Sequence, residues 1–488
     1  MIIEGNFNVG GRIFNRKLLI SEWMYSAAAV GLIRFFRWNN WNDRYEIEEM
    51  NLYYNIEDII PNKEITDAYE ADKAYLAFAE YRFPMHHIEL KRLMNKENLC
   101  DEDIKLINSK LSANVSMKSV FKGIRFNGNN KHEITNLIDN NRWYLIAETF
   151  KNLLSGYRKF LNYSRYRSES SDVSRIWGFY VDKTRKTNAM GFSMNKHSRN
   201  REDAVEFDYI PFAFSKGRES IFINNNYKIE YLISNNDMFE ELLRKHAEDG
   251  NEWNRLLYNY VHGSTFLRHD VELIRIKSEA EAYETIILHK SAIDIFTAIS
   301  DKCRRNGYEI DRILRRKVKV NENLYISISD ELTYNLINGL KLDSLIERLL
   351  KIEYHNKQES SENSLIKGLI EFNEIIYRSK KGGNIMENRF AASRAAAKQV
   401  VGYFVSRDQT NKIRAYRQKL ASTLVANDQS RFLDVMLQLS SYTEIAFPFM
   451  HEVIADFDGN RNLAYDFVNE LMLSNNSNLK KTDETGIN

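Results

Sequence analysis

Proline is almost missing from this chain. Pro61, Pro84, Pro211 and Pro448 are the only four in 488 residues, where average usage would give roughly two dozen. A chain so poor in the residue that interrupts helices is free to build long ones, and it has no stretch that could act as a stiff proline-rich linker. Its length implies about two to four folded units, so their boundaries must lie in ordinary-looking sequence. With 43% hydrophobic and 28% charged residues, there is enough apolar surface to offset the ordering entropy of a packed fold.

Residues 17–36 set Trp23, Ala27, Ala28 and Leu32 at helical spacing, which predicts a buried helix whose small residues permit close packing. Weak alternation predicts strands at Tyr45–Ile47 and Asn51–Tyr54, and residues 64–113 read as helical. Val120–Phe126 reads as a short strand ending at a loop tip, Asn127-Gly128-Asn129-Asn130, since Asn and Gly accept positive φ. An amphipathic helix follows over 142–167, then a mobile, basic surface loop over 168–203.

Two hairpins are expected further on. Ser220–Ile223 and Lys228–Ile233 flank Asn224-Asn225-Asn226, while Val318–Val320 and Leu324–Ile328 flank Asn321-Glu322-Asn323. Residues 236–306 read as mainly helical. After Lys380-Lys381-Gly382-Gly383 only helices are expected, with Ile413, Tyr416, Leu420 and Leu424 on one seam, Phe432, Val435, Met436 and Leu439 on another, and Asp428 as an N-cap. The fold class is therefore α+β: a mixed amino-terminal body over 1–380 with β-hairpins and helices, an all-α bundle over 386–475, and a polar tail over 476–488.

Net charge is only +2, so any affinity for a polyanion must come from segregated charge. Segregation is present. Residues 142–201 hold thirteen cations against four carboxylates, including Arg142, Arg158, Lys159, Arg165, Arg167, Lys183, Arg185, Lys186, Lys196, Arg199 and Arg201. Trp143, Tyr157, Tyr163, Tyr166 and Trp177 are interleaved with them, which sets stacking faces beside phosphate-binding cations. Residues 388–431 hold nine cations against two carboxylates, among them Arg394, Lys398, Arg407, Lys412, Arg414, Arg417 and Lys419, and the chain beyond is acidic. A solvated helix face and a basic loop would account for the same letters.

Asn127, Gly128, Asn129, Asn130 and Lys131 are the sharpest candidates for reading bases, because an amide can pair with a base edge and glycine lets the backbone approach a groove. A plain hairpin turn explains the same letters, and Asn and Gly commonly do no more than that. Chemistry for bond cleavage is not visible: there is no phosphate-binding Gly-rich loop and no G-x-S-x-G elbow. His269-Asp270 is the pair a metal-dependent nuclease or nucleotidyltransferase could use, but it has no companion histidine at ligand spacing. Neither a metal nor another cofactor is expected. Cys100 and Cys303 are too far apart for any zinc or disulfide framework and read as buried thiols. The apolar run Trp23–Leu32 is too short to span a bilayer, and with Glu4 near the start a cytoplasmic location is expected.

The segments SEWMYSAAAVGLIRFF and YIPFAFSKGRESIFINNN (209–226) resemble the large subunit of type I-B CRISPR Cascade complexes. The resemblance implies a non-catalytic protein of RNA-guided DNA surveillance. Its partners would be the CRISPR RNA, target double-stranded DNA with its displaced strand, the backbone subunits, the small subunit and a helicase-nuclease, with no membrane. Such a subunit recognises the protospacer-adjacent motif and helps open the duplex. Some relatives carry paired CxxC motifs that could hold zinc, and their absence here implies a metal-free branch or a different subfamily. Lys381-Gly382-Gly383 can be encoded as a purine-rich tract at a workable distance before Met386, and relatives make the small subunit from the same gene. A second product running from Met386 to Asn488 is therefore expected. A helical scaffold of some other assembly, without nucleic-acid affinity, is the remaining reading.

Overall fold

Helix α1 (Trp23–Trp38) is enclosed by protein along most of its length, with Ser26, Ala27, Ala28, Ala29 and Val30 fully buried. Side chains this small cannot hold neighbours away, so other elements close on the helix from every side. The computed structural model describes residues 1–59, 70–148, 204–216, 220–225, 227–245, 269–276, 283–307, 310–321, 323–355, 359–381 and 389–472. They belong to two units, one of residues 1–251 with 264–290 and one of 252–263 with 291–488.

In the first unit, β1 (Ile2–Val9) and β2 (Arg12–Leu19) form a hairpin through Gly10 and Gly11, both at positive φ. β2 pairs with β4 (Asn51–Tyr54), which pairs with β3 (Tyr45–Glu48), giving an antiparallel sheet of order β1-β2-β4-β3. Leu18 lies opposite Leu52, and both are buried in the core that holds α1. Helices α2 (Glu70–Arg82), α3 (His86–Met94), α4 (Asp101–Lys110), α5 (Val115–Val120), α6 (Lys131–Asn140) and α7 (Arg142–Glu148) follow. Leu90, Ile107, Met117, Ile134 and Leu145 from α3 to α7 make a separate small core. The strand expected over Val120–Phe126 is absent. α5 ends at Val120, and Phe121 and Phe126 enter that small core from the turn after it.

The segment after residue 204 packs on α1 as a 3-10 turn (Val205–Tyr209) and a short helix α8 (Ile210–Ala213). Arg34 donates to the carbonyls of Phe212 (2.9 Å) and Ala213 (2.7 Å), and Arg82 donates to the carbonyl of Phe214 (2.8 Å) and to both oxygens of Glu240. The first expected hairpin is also corrected. β5 (Ser220–Asn224) pairs with β6 (Val271–Ile276), which pairs with β7 (Tyr283–Leu288), while Lys228–Ile233 leads into α9 (Ile229–Lys245). Ile229, Leu232 and Ile233 are buried at helical spacing. The Asn236 side chain bonds both the N–H (2.9 Å) and the C=O (2.8 Å) of Ile223, standing in for a neighbouring strand. Residues 236–306 thus include two strands as well as helix.

The second unit holds most of α10 (Lys290–Arg305), then α11 (Ile310–Leu314), the hairpin β8 (Lys317–Lys319) and β9 (Tyr325–Ser327), and α12 (Ile328–Ile337). Helices alone follow: α13 (Asp343–His355), α14 (Glu359–Lys381), α15 (Ala391–Ser406), α16 (Thr410–Val425), α17 (Gln429–Thr443), α18 (Met450–Ala455) and α19 (Phe457–Glu470). The mixed body followed by consecutive helices is the α+β class read from the sequence. Ile413, Leu420, Leu424, Phe432, Val435, Met436 and Leu439 are buried along the two expected seams, and Asp428 caps α17 by accepting from the Arg431 N–H at 3.0 Å.

Buried polar groups also tie α13 and α14 to the helices after them. Asn373 donates to Asp343 and Asn462 (2.7 Å each), Asn462 donates to Glu374 (2.9 Å), and Arg389 pairs with Glu374 (2.9 Å). Tyr465 donates to Glu347 at 2.6 Å. Cys303 is buried, and burial pushes its thiol up to about 11. Cys100, expected to be buried, is exposed at the start of α4, where Asp103 accepts from its backbone N–H. Among the described residues no helix is long and apolar enough to cross a membrane.

Candidate nucleic-acid interface

Where α15 turns into α16, the side chains form a layered cluster of rings and cations. Phe404, fully buried, is the base, with Tyr442 of α17 stacked beside it at 5.8 Å and Tyr416 of α16 at 6.0 Å. The Tyr403 hydroxyl donates to the Tyr442 carbonyl at 3.1 Å, and the Tyr442 hydroxyl donates to Gln409 at 3.0 Å. Three cations lie over these rings. The Arg407 guanidinium is 3.7 Å from the Tyr403 ring centre, the Lys412 ammonium is 4.2 Å from that of Tyr442 and bonds its hydroxyl, and Lys419 is 5.9 Å from Tyr416. The rings hold the cations in place without neutralising them. No ion pair involves Arg407, Lys412 or Lys419 among the described residues, although exposed Asp408 lies between the first two in sequence. Such a surface can accept phosphates and present ring edges to bases.

Other cations read from the sequence are placed differently. Arg394 is held by Asp466 (2.9 Å) and Glu371 (3.1 Å), and Arg417 donates to the Val468 carbonyl. Lys398 and Arg414 are exposed. Arg142 grips Glu80 with two hydrogen bonds of 3.0 and 2.5 Å, and His87 bonds the same carboxylate at 3.1 Å. Burial pushes the Glu80 carboxyl up, but the hydrogen bonds from His87 and Arg142 outweigh it and hold the group at about 2. Asp466 shows the reverse balance: burial dominates over Arg394 and Ser393 and raises it to about 6. Arg158, Lys159, Arg165, Arg167, Lys183, Arg185, Lys186, Lys196, Arg199, Arg201 and Met386 lie outside the described residues.

The Asn127 to Lys131 turn leads into α6. The Asn127 side chain accepts from the N–H groups of Asn129 (2.9 Å) and Asn130 (3.2 Å), while Asn130 accepts from the Asn127 N–H and donates to the Arg125 carbonyl. Gly128 has φ +90 with open space around it, so backbone conformation and not close approach calls for glycine there. Asn129 and Lys131 are exposed, and their side chains make no hydrogen bond among the described residues. The same five residues thus divide into two that build the turn, one that permits it and two that face solvent.

Asp270 accepts from the Lys290 N–H (2.7 Å) at the start of α10 and pairs with His289 (3.1 Å), and the His269 ring lies 4.6 Å from Tyr227. Among the described residues no group of three His, Cys, Asp or Glu could hold a metal ion. Sequence reasoning missed Tyr403, Gln409 and Tyr442. A signal for Tyr403 lies in the sequence, where the cations at 407, 412 and 419 alternate with Tyr403 and Tyr416, whereas Tyr442 comes from another helix and has no local signal. No curated protein and no solved structure matches this chain. The family described as CRISPR-associated protein Csx8 matches residues 14–471.

Proposed function

We propose that this chain, which belongs to the CRISPR-associated protein Csx8 family, is the non-catalytic large subunit of an RNA-guided DNA surveillance complex of the type I-B Cascade kind. It contacts guide RNA, target duplex and displaced strand chiefly through their backbones, reads the motif flanking the target, and gives the helicase-nuclease a place to land. The observation that carries this reading is the Arg407, Lys412 and Lys419 cluster on the Tyr403, Tyr442 and Tyr416 rings. Cations fixed on rings and left without carboxylate partners suit a polyanion that must be held without being sequence-read. Arg142 and Arg394, bound to internal carboxylates, position helices in this scheme.

The test is reconstitution of the complex from its backbone subunits and guide, with and without this chain. Binding to a duplex bearing the matching sequence and flanking motif should require it. Equal opening of the target in its absence overturns the proposal. Cleavage by the purified chain with a divalent metal, lost in His269→Ala, would replace it with a nuclease.

A further inference from the structure

The hairpin β8–β9, with α12 and α13, encloses a cleft of about 830 Å³ in the second unit. Val318 and Ile326 are cross-strand partners and face inward, so the period of two turns their neighbours Lys319 and Tyr325 outward as another cross-strand pair. Tyr325 is 54% exposed, Leu324 53%, and Tyr334 on α12 63%. Neither tyrosine ring stacks on another aromatic ring among the described residues. Lys319 and, on α13, Lys351 are exposed and make no ion pair among them. The acidic lining is Asp330 and Glu331, of which Glu331 is paired with Arg348 at 2.6 Å.

We propose that this cleft holds unpaired bases of a single-stranded nucleic acid, with Tyr325 and Tyr334 as stacking faces and Lys319 and Lys351 on the adjoining phosphates. Two tyrosine rings held out from the core leave their faces open to a ligand. Lys319 on the hairpin and Lys351 in the lining are exposed cations without an ion pair among the described residues, whereas the buried centre of a protein–protein contact is depleted of lysine. Base stacking tolerates any sequence and needs flanking positive charge, which is the combination present. The inference deepens the reading of the chain as a nucleic-acid-binding subunit and rests on it, but concerns a different surface from the Arg407 cluster.

The full-length chain is titrated with labelled single-stranded oligonucleotides, as DNA and as RNA of one sequence, and the arm that binds more tightly identifies which strand the cleft receives. Tyr325→Ala and Tyr334→Ala should each weaken binding at least about fivefold, with Tyr325→Phe close to wild type, and Lys319→Gln should reduce the salt slope by about 0.7. Both tyrosines are more than half exposed, so these variants keep the fold. An iodouridine-bearing strand should crosslink within residues 317–334. Wild-type affinity in both alanine variants, with crosslinks only elsewhere, overturns the cleft and leaves it to a protein partner while the general reading stands. No binding by the wild-type chain in either arm overturns both.

Discussion

A β-carbon added to Gly31 would overlap the carbonyl oxygen of Tyr209 and lie 2.7 Å from its carbonyl carbon. The two segments that most resemble a known subunit in the sequence, residues 21–36 and 209–226, are therefore in direct backbone contact through a glycine. The obstacle is main chain, which cannot step aside as a side-chain tip can. Gly31→Ala should destabilise the first unit by about 1–3 kcal/mol or more and lower its thermal midpoint by several degrees. An unchanged melting curve would show that the 205–213 segment is not fixed against α1.

Arg407→Ala and Lys412→Ala should each weaken binding to single strands of any sequence and lower the slope of log affinity against log salt by about 0.7. Each cation also leaves a tyrosine ring, so stability should fall by about 0.5–1 kcal/mol. Anisotropy titrations at several salt concentrations check this, and an unaltered slope removes the cluster from the interface.

The asparagine turn separates two roles that the letters alone merge. Asn127→Ala removes the acceptor for two backbone N–H groups and should cost about 1 kcal/mol in unfolding experiments. Asn129→Ala should leave stability untouched and, in the assembled complex, relax discrimination among flanking motifs. If a randomised-motif binding assay shows the same preference for wild type and Asn129→Ala, the reader is elsewhere.

Asp466 gives a pH signature of defined sign. Its carboxyl is raised to about 6 in the fold against an ordinary value of 3.8, so between these limits the folded chain holds more protons than the unfolded one. Stability from this group is therefore greatest below about pH 4 and is lost as pH rises through 6, by on the order of 3 kcal/mol. Relative to wild type, Asp466→Asn should appear progressively more stable across that window. A stability difference independent of pH would mean that Arg394 and Ser393 hold the carboxylate charged throughout.

A product starting at Met386 would lack Glu347, Asn373 and Glu374, which partner Tyr465, Asn462 and Arg389. Orphaning such groups costs about 1–3 kcal/mol each. A fragment of residues 341–488 should unfold cooperatively and at a higher temperature than one of 386–488. Equal midpoints would show that the short product repacks and is self-sufficient.

Legibility followed the range of the interactions. The all-helical seams at Ile413, Leu420, Phe432 and Leu439 were readable because their period is local and repeated over several turns. The Val318–Ile326 hairpin was readable because its strands adjoin in sequence. Ser220–Ile223 reads as a strand, but its partner lies some fifty residues on, and the nearer apolar run, Ile229 to Ile233, fits either period over so few residues. Val120 to Phe126 failed for the same reason: two phenylalanines facing one small core from a turn resemble alternation. The β1–β2 hairpin carries a local signal of its own, Gly10-Gly11 between two runs of mixed polarity. Half of the candidate site was legible as charge. The other half was not, because sequence spacing does not reveal that Arg142 and Arg394 meet Glu80 and Asp466, or that Tyr442 arrives beside Lys412 from another helix.

Arg34 and Arg82 have a consequence beyond packing. Between them they hold three successive carbonyls, those of residues 212 to 214, and a lysine ammonium has neither the fork nor the span to do so. These arginines and the stretch they hold should consequently evolve as one character. Relatives that replace either guanidinium are expected to have rebuilt residues 209–214 as well, and a chimera that exchanges only one of the two segments between relatives should be the combination that fails to assemble.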